Sequence, residues 1–423
     1  MRILLASNAS YVPPRGGSTR SNLVWLDQLS AAGHECQIVA TAAPSNSSEK
    51  REQVETELRQ QEIRMDSRIH DGVAVAKRGG IEVHSVIEAT RRGTVLEQRI
   101  REFRPDWVLV SSEDVGQILL RAAETTAPGR IIYLAHTPQF YPFGPASWNP
   151  DPHATDIIRR SAAIIAIGHR TAAYIQQHIG IQPTVVHPPM YGAGPFPSLG
   201  SFDNGLITII NPCAVKGISI FLALADAHPH LRFGALPGWG TTTPDLHALS
   251  ARPNVEILPK VRDIEQLLQR TRVLLVPSLW LEGFGLVVVE ALLRGIPVIA
   301  SDSGGLVEAK LGTNYVVPVR PIERFESIFD EHAMPKPILP PQDIAPWSQA
   351  LLTLLSDRNL YERESTQSRN AATEFVTSLD PAKLEKLLLT LEPARLQARS
   401  HSLEDLSPAK RALLLQRLKA KHN

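Results

Sequence analysis

The sequence predicts an α/β protein of two doubly wound, Rossmann-like domains with a cleft between them. Three observations carry this expectation. Short apolar runs alternate with amphipathic helical stretches along most of the chain, the pattern of parallel strands covered by helices on both faces. A proline- and glycine-rich stretch at 188–204 interrupts the alternation. It sets the expected division into 1–195, 205–376 and a helical tail or linker at 377–423. Finally, residues 272–308 read as strand, loop, helix, strand, loop, helix, a compact α/β unit.

The first domain opens with a buried strand at 2–6. After a loop, a helix from about 19 to 32 shows its apolar face at Leu23, Leu26 and Leu29 and ends at Gly33-His34. A strand follows at 37–40. Residues 44–70 are rich in Ser, Glu, Gln and Arg, lack apolar periodicity, and read as a partly helical surface insertion. Runs at 73–76 and 81–86 flank Arg78-Gly79-Gly80 as a hairpin-like pair. Next come a helix at 94–103, a strand at 107–110, a helix at 113–124 and a strand at 130–134. The last of these delivers His136 and an aromatic, proline-rich loop at 139–150. A helix (155–161), strand (162–167), helix (170–178) and strand (184–187) complete the domain.

The second domain repeats the logic: strand 206–210, loop 211–217, helix 218–227, strand 231–235, a Pro237-Gly238-Trp239-Gly240 loop, strand 255–258 and helix 263–270. In the 272–308 unit, the strand at 273–276 stops at Pro277. The helix starting near Gly285 runs to Leu293, with Gly295 after its end and Pro297 as a stop signal. A strand at 298–300 and a Ser303-Gly304-Gly305 turn follow. Beyond Val319 an irregular proline-rich region leads to helices at 347–355 and about 359–376, then short amphipathic pieces at 381–391 and 407–421.

Bulk composition limits the function. The chain has 423 residues, 43% hydrophobic and 21% charged, with a formal net charge of +1. That balance argues against general nucleic-acid binding. Cys36 and Cys213 stand far apart, so neither a disulfide framework nor a zinc site is indicated. No window approaches the roughly 18 apolar residues of a membrane span, and the N-terminal apolar run is too short for a signal peptide. A cytoplasmic protein with at most peripheral membrane contact is expected.

Several residues invite chemistry, each beside a plainer explanation. Glu282 sits at the mouth of a loop, and Glu290 lies within the following helix between Val289 and Ala291. A carboxylate there needs partners, which a polyol's hydroxyls would supply, or the pair caps and salt-bridges an ordinary lobe. Gly304-Gly305 offers backbone N–H groups to a phosphate. Gly16-Gly17 opens the first helix without a GxGxxG pattern, as a phosphate-approach loop or a flexible turn. His136 follows a parallel strand, where ligands of α/β folds gather, or else bonds a loop carbonyl. Lys216 precedes a helix N-terminus, where its charge favours phosphate, or is a solvated lysine.

With these pieces placed, residues 1 to about 376 resemble the retaining glycosyltransferases of the GT-B fold, in the group often called family 4. The most specific segment is EGFGLVVVE, a Glu-x7-Glu motif at 282–290, continued by EALLRGIPVIASDSGGLVE. The resemblance implies that Glu290 binds nucleotide ribose hydroxyls. It implies that Glu282 and the backbone amides of Gly283, Phe284 and Gly285 face the donor sugar, with Leu286 completing this donor-binding set. Lys216 would contact the diphosphate, His136 would lie near the reacting sugar, and Gly16 and Gly17 would approach the phosphates. Catalytic roles thus fall on His136, Glu282 and Lys216. One departure stands out: the family commonly carries an arginine about half a dozen residues before this lysine, and here 209–213 is Ile-Ile-Asn-Pro-Cys. Arg15, Arg20 and Arg294 are available substitutes.

The implied reaction moves a sugar from a UDP- or GDP-sugar to an acceptor hydroxyl with retention, without a metal or prosthetic group. The segment 406–418, opened by Ser407 and Pro408, resembles linker helices beside catalytic domains of nonribosomal peptide synthetases. It implies docking to such an assembly line and a carrier-bound peptide or lipopeptide acceptor. The alternatives are a basic helix packed on its own domain, a non-catalytic nucleotide-sugar binder, or an epimerase or phosphorylase on the same fold.

Overall fold

A computed structural model of the chain describes residues 1–14, 16–42, 56, 59, 63–261 and 263–394. The docking segment expected at 406–418, the piece at 407–421 and Arg15 lie outside the described residues.

The strands are β1 Arg2–Ala6, β2 Glu35–Thr41, β3 Ile63–His70, β4 Val73–Arg78, β5 Ile81–Val86, β6 Trp107–Ser111, β7 Ile131–Ala135, β8 Ala163–Ala166 and β9 Thr184–Val185. Among the described residues they form one nine-stranded sheet in the order β3-β4-β5-β2-β1-β6-β7-β8-β9. All neighbours are parallel except β3–β4 and β4–β5. The helices of this lobe are α1 Gly17–Ala31, α2 Arg92–Phe103, α3 Ile118–Thr126, α4 Pro152–Arg159 and α5 His169–Ile179.

The second sheet is wholly parallel and comprises β10 Leu206–Ile210, β11 Phe233–Leu236, β12 Val255–Ile257, β13 Thr271–Val276, β14 Val298–Ser301 and β15 Val316–Val317. Its order is β12-β11-β10-β13-β14-β15. Its helices are α6 Ile218–Ala227, α7 Thr243–Ser250, α8 Ile264–Leu268, α9 Leu286–Leu293 and α10 Leu306–Ala309. A small hairpin, β16 Phe325–Phe329 with β17 Pro335–Pro337, precedes α11 Ala345–Ser356, α12 Arg358–Ser378 and α13 Lys383–Thr390. No helix of the described residues is long and apolar enough to cross a membrane.

Apolar patterning explains the layers. β1, β6, β7, β13 and β14 are buried nearly throughout, as strands covered on both faces must be. In α9 the side chains of Val288, Val289, Leu292 and Leu293 are fully buried. Each contributes about 1.5–3 kcal/mol relative to exposure. The last helices return to the first lobe: Leu384 and Leu388 of α13 join a core shared by both lobes, and His34 Nε2 lies 3.0 Å from Glu385 Oε1. Each sheet also has a switch point, between β1 and β6 and between β10 and β13, where α/β folds open a crevice at the strand C-termini.

Three local expectations are corrected. The stretch 44–70 is not simply an insertion, because 63–70 forms β3, paired antiparallel with β4. The helix expected from 113 begins at Ile118: Asp114 Oδ2 accepts the Leu119 N–H at 2.6 Å and Gln117 is left-handed at φ 54°. The loop after Gly240 contains α7, started by a reciprocal capping box of Thr242 and Asp245.

Candidate active site

The crevices of the two lobes face each other and enclose a cavity of about 450 Å³. Gly16, Gly17 and His136 reach it from the first lobe. Lys216, Glu282, Gly283, Phe284, Gly285, Leu286 and Glu290 reach it from the second, so these ten expected residues line one cavity.

Lys216 follows β10 in a short 3-10 turn that ends at Gly217, φ 78°. A Cβ at Gly217 would lie 1.9 Å from the Pro277 carbonyl oxygen, so glycine is what lets this turn cross the end of β13. The crossing brings Lys216 Nζ onto Glu282 Oε1 as an ion pair, with the two side chains 19% and 13% exposed. Ser278 Oγ donates to the same carboxylate oxygen at 2.6 Å. Burial pushes the Glu282 carboxyl up, but the Lys216 charge and the bonds from Lys216 and Ser278 outweigh it and hold it below its ordinary value. An ammonium has three N–H donors, so Lys216 keeps capacity for a second anion.

Glu290 lies on α9 and is 5% exposed. Its Oε1 accepts from Arg20 Nη2 at 2.6 Å, an ion pair spanning the two lobes. Of the two kinds of partner expected for Glu290, a polyol's hydroxyls or a salt bridge, the structure shows the salt bridge, formed by Arg20. Of the three arginines offered as replacements for the missing one, Arg20 lines the cavity. Arg294 does not serve: it bonds Glu265 Oε1 at 2.7 Å and stacks on Phe196.

His136 is fully buried at the end of β7. Its Nε2 lies 2.9 Å from Asn22 Oδ1, while Asn22 Nδ2 donates to Tyr11 Oη at 2.8 Å and Ser111 Oγ at 3.0 Å. This network assigns the proton to Nε2 and leaves Nδ1 a bare, buried acceptor without a partner. Burial lowers the His136 pKa, the Glu113 charge opposing it, and the ring stays neutral at pH 7. Asn22, Ser111 and Glu113 were missed in the sequence. A signal existed for Asn22, a polar residue in register with Leu26 and Leu29 on the buried face of α1.

The phosphate nest expected at Gly304-Gly305 is also corrected. The Gly305 N–H donates to Glu282 O at 2.8 Å, and a Cβ on either glycine would lie 2.4 Å from a backbone oxygen of the 282–283 loop. These glycines seat the Glu282 loop instead of holding a ligand.

The lobes touch beside the cavity. Thr171 Oγ1 donates to Gly283 O at 2.8 Å. Glu308 of α10 accepts the backbone N–H groups of His169 and Arg170, both at 3.0 Å, capping α5 across the interface, and meets His187 Nε2 at 2.9 Å. The ligand atoms of His169, His187 and Glu308 lie within 4.8 Å of one another. Both Glu308 oxygens are already committed to N–H donors, so this trio works as a clamp between lobes.

With that geometry in place, the chain's likenesses fit it. Residues 15–190 match the model of Glycosyltransferase Family 4, and 216–357 match that of Glycosyl transferases group 1. The two matches fall one on each lobe of a GT-B fold. Among solved structures, Anabaena Alr3699/HepE in complex with UDP and glucose is similar at 16% identity and TM-score 0.62, covering 92% of this chain and 99% of that one. Sucrose-phosphate synthase from Thermosynechococcus elongatus is similar at 15% identity and TM-score 0.61, covering 92% and 96%. A glycosyltransferase from Rickettsia africae is similar at 12% identity and TM-score 0.59, covering 92% and 97%. At these identities the likeness establishes the fold. No curated protein matches the chain in sequence.

Proposed function

We propose that this chain transfers a sugar from a nucleoside diphosphate sugar to an acceptor hydroxyl with retention of configuration. The observation that carries the proposal is the convergence of two charge pairs, Lys216–Glu282 within the second lobe and Arg20–Glu290 between the lobes, on one cavity with a neutral His136. Lys216 uses its remaining N–H donors on the diphosphate, and Arg20 supplies the second cation that the 209–213 segment lacks. Glu290 holds the ribose hydroxyls and Glu282 the donor sugar, beside the amides of Gly283, Phe284 and Gly285. His136 Nδ1, an acceptor without a partner, takes a sugar hydroxyl. Gly16 and Gly17 let the first lobe come close to the phosphates.

In the transfer, the bond from the anomeric carbon to the diphosphate oxygen breaks as the bond to the acceptor oxygen forms. The acceptor proton leaves with the diphosphate, whose developing charge Lys216 and Arg20 stabilise. UDP- and GDP-sugars are the expected donors. A carrier-bound peptide acceptor docked through 406–418 is the extended form of the proposal, and deleting 400–423 should then impair transfer to carrier-bound but not to free acceptor. Calorimetric titration with UDP-, GDP- and ADP-sugars tests the core claim: one of them binds, and Glu290→Ala weakens that binding at least about tenfold. Absence of binding across the panel rejects it.

A further inference from the structure

The aromatic loop at 139–150 and the Trp239 loop have no role in the donor chemistry above, yet they meet at the cavity. Phe140 and Trp148 from the first lobe pack edge-on at 5.2 Å, and Trp280 from the second lobe lies 6.1 Å from Trp148. Trp239 extends the wall, its ring 5.9 Å from Trp280 and its side chain 43% exposed. Phe140, Trp239 and Trp280 all line the cavity, and the Lys216 ammonium sits 4.7 Å from the Trp280 ring centre. An exposed indole on a catalytic cleft presents a flat apolar face. Polar capacity lies in the same cavity, where Glu113 Oε1 is buried without a hydrogen-bond partner while its other oxygen bonds Ser111 Oγ.

We infer that this wall is the acceptor subsite, and that it takes an acceptor whose hydroxyl is carried on a ring with an apolar face. The ring stacks on Trp239 against Trp280, and its hydroxyl finds Glu113. A sugar residue and a phenolic side chain share this chemistry; an open-chain alcohol lacks it. The wall is built by both lobes, so it forms where the lobes close around the Lys216–Glu282 pair. The inference rests on the donor assignment proposed above.

The test uses the full chain with its best donor and three acceptor probes: methyl α-glucopyranoside, p-cresol and 1-hexanol. At least one ring probe should be a saturable acceptor with a KM below that of 1-hexanol, and which ring is preferred separates sugar from phenol. Trp239→Ala removes an exposed side chain and no core. It should raise the KM of the preferred ring about five- to tenfold with the donor dissociation constant unchanged. Trp239→Phe, which keeps an aromatic face, should recover most of the loss. The inference is overturned if no ring probe saturates, if 1-hexanol serves equally well, or if Trp239→Ala weakens donor binding instead of acceptor use. If wild-type protein binds no donor, the donor assignment has failed and not the wall.

Discussion

Lys216 and Glu282 illustrate how a pair proposed for catalysis is at the same time a stability element. A buried carboxylate loses hydration and must recover it from neighbours, here an ammonium and a hydroxyl. Lys216→Met should therefore cost about 3 kcal/mol in denaturant unfolding, the low end for breaking a buried pair. It should also lower turnover about 10²–10³-fold by removing charge from the leaving diphosphate. K216M/E282Q should regain most of the stability and none of the activity, because the orphaned charge is gone while the cation is still missing. The pH dependence has a definite sign. His136 is held neutral by burial, so below about pH 6.5 the unfolded chain takes up a proton that the folded chain resists, and stability falls. His136→Gln should show a shallower loss of stability between pH 7 and 5; an unchanged slope would remove His136 from this account. The glutamates, the lysine and the histidine were legible because their positions at strand and helix ends are set by local pattern. Of their partners, Arg20 was one of three candidate cations, while Asn22 and Trp280 were not singled out, because they reach the site only once strands far apart in sequence lie side by side.

At the level of elements, the Glu282 loop is packed so tightly that its glycines are structural requirements. A Cβ on Gly283 would lie 2.1 Å from the His136 carbonyl oxygen, a backbone atom that cannot rotate aside. Gly283→Ala should push the lobes apart and reduce kcat/KM about 10²-fold, with each lobe still folded by circular dichroism. The clamp from α10 to α5 gives a second prediction. Burial raises the Glu308 carboxyl, but the His187 bond and the two amide N–H donors outweigh it, so its pKa lies below the ordinary value. Its contribution is present above the usual carboxylate range and is lost as pH falls through that range. Glu308→Ala should cost about 1–2 kcal/mol at pH 7, and the difference from wild type should shrink toward pH 3. The elements most readable in sequence were the apolar parallel strands and α9, whose core-facing residues permit no other placement. β3 was missed although Ile63, Met65 and Ile69 alternate with Arg64, Asp66, Arg68 and His70: the polar residues before it masked this short period-2 pattern, and pairing with β4 completes the strand. α7 is short and announces itself by its capping box alone.

Across the whole molecule, two sheets wound the same way present their switch points to a shared cleft. The returning helices α12 and α13 tie the second lobe to the first: Phe375 stacks on Phe284 at 5.8 Å and packs edge-on against His187 of the first lobe at 5.2 Å, and Leu384 and Leu388 join a core shared by both lobes. Each half of the site is therefore incomplete without the other, since Arg20 and His136 belong to one lobe and Glu290, Lys216 and Glu282 to the other. The two-lobed plan was legible from the break at 188–204, whereas the interlobe ion pairs and the aromatic wall are products of tertiary closure. The central claim is transfer from a nucleoside diphosphate sugar with retention, and proton NMR of a single-donor reaction tests it most directly. Release of the nucleoside diphosphate is expected, together with a product sugar whose first-formed anomer matches that of the donor. Inverted product, or an unchanged donor across UDP-, GDP- and ADP-sugars in the presence of ring acceptors, would contradict it.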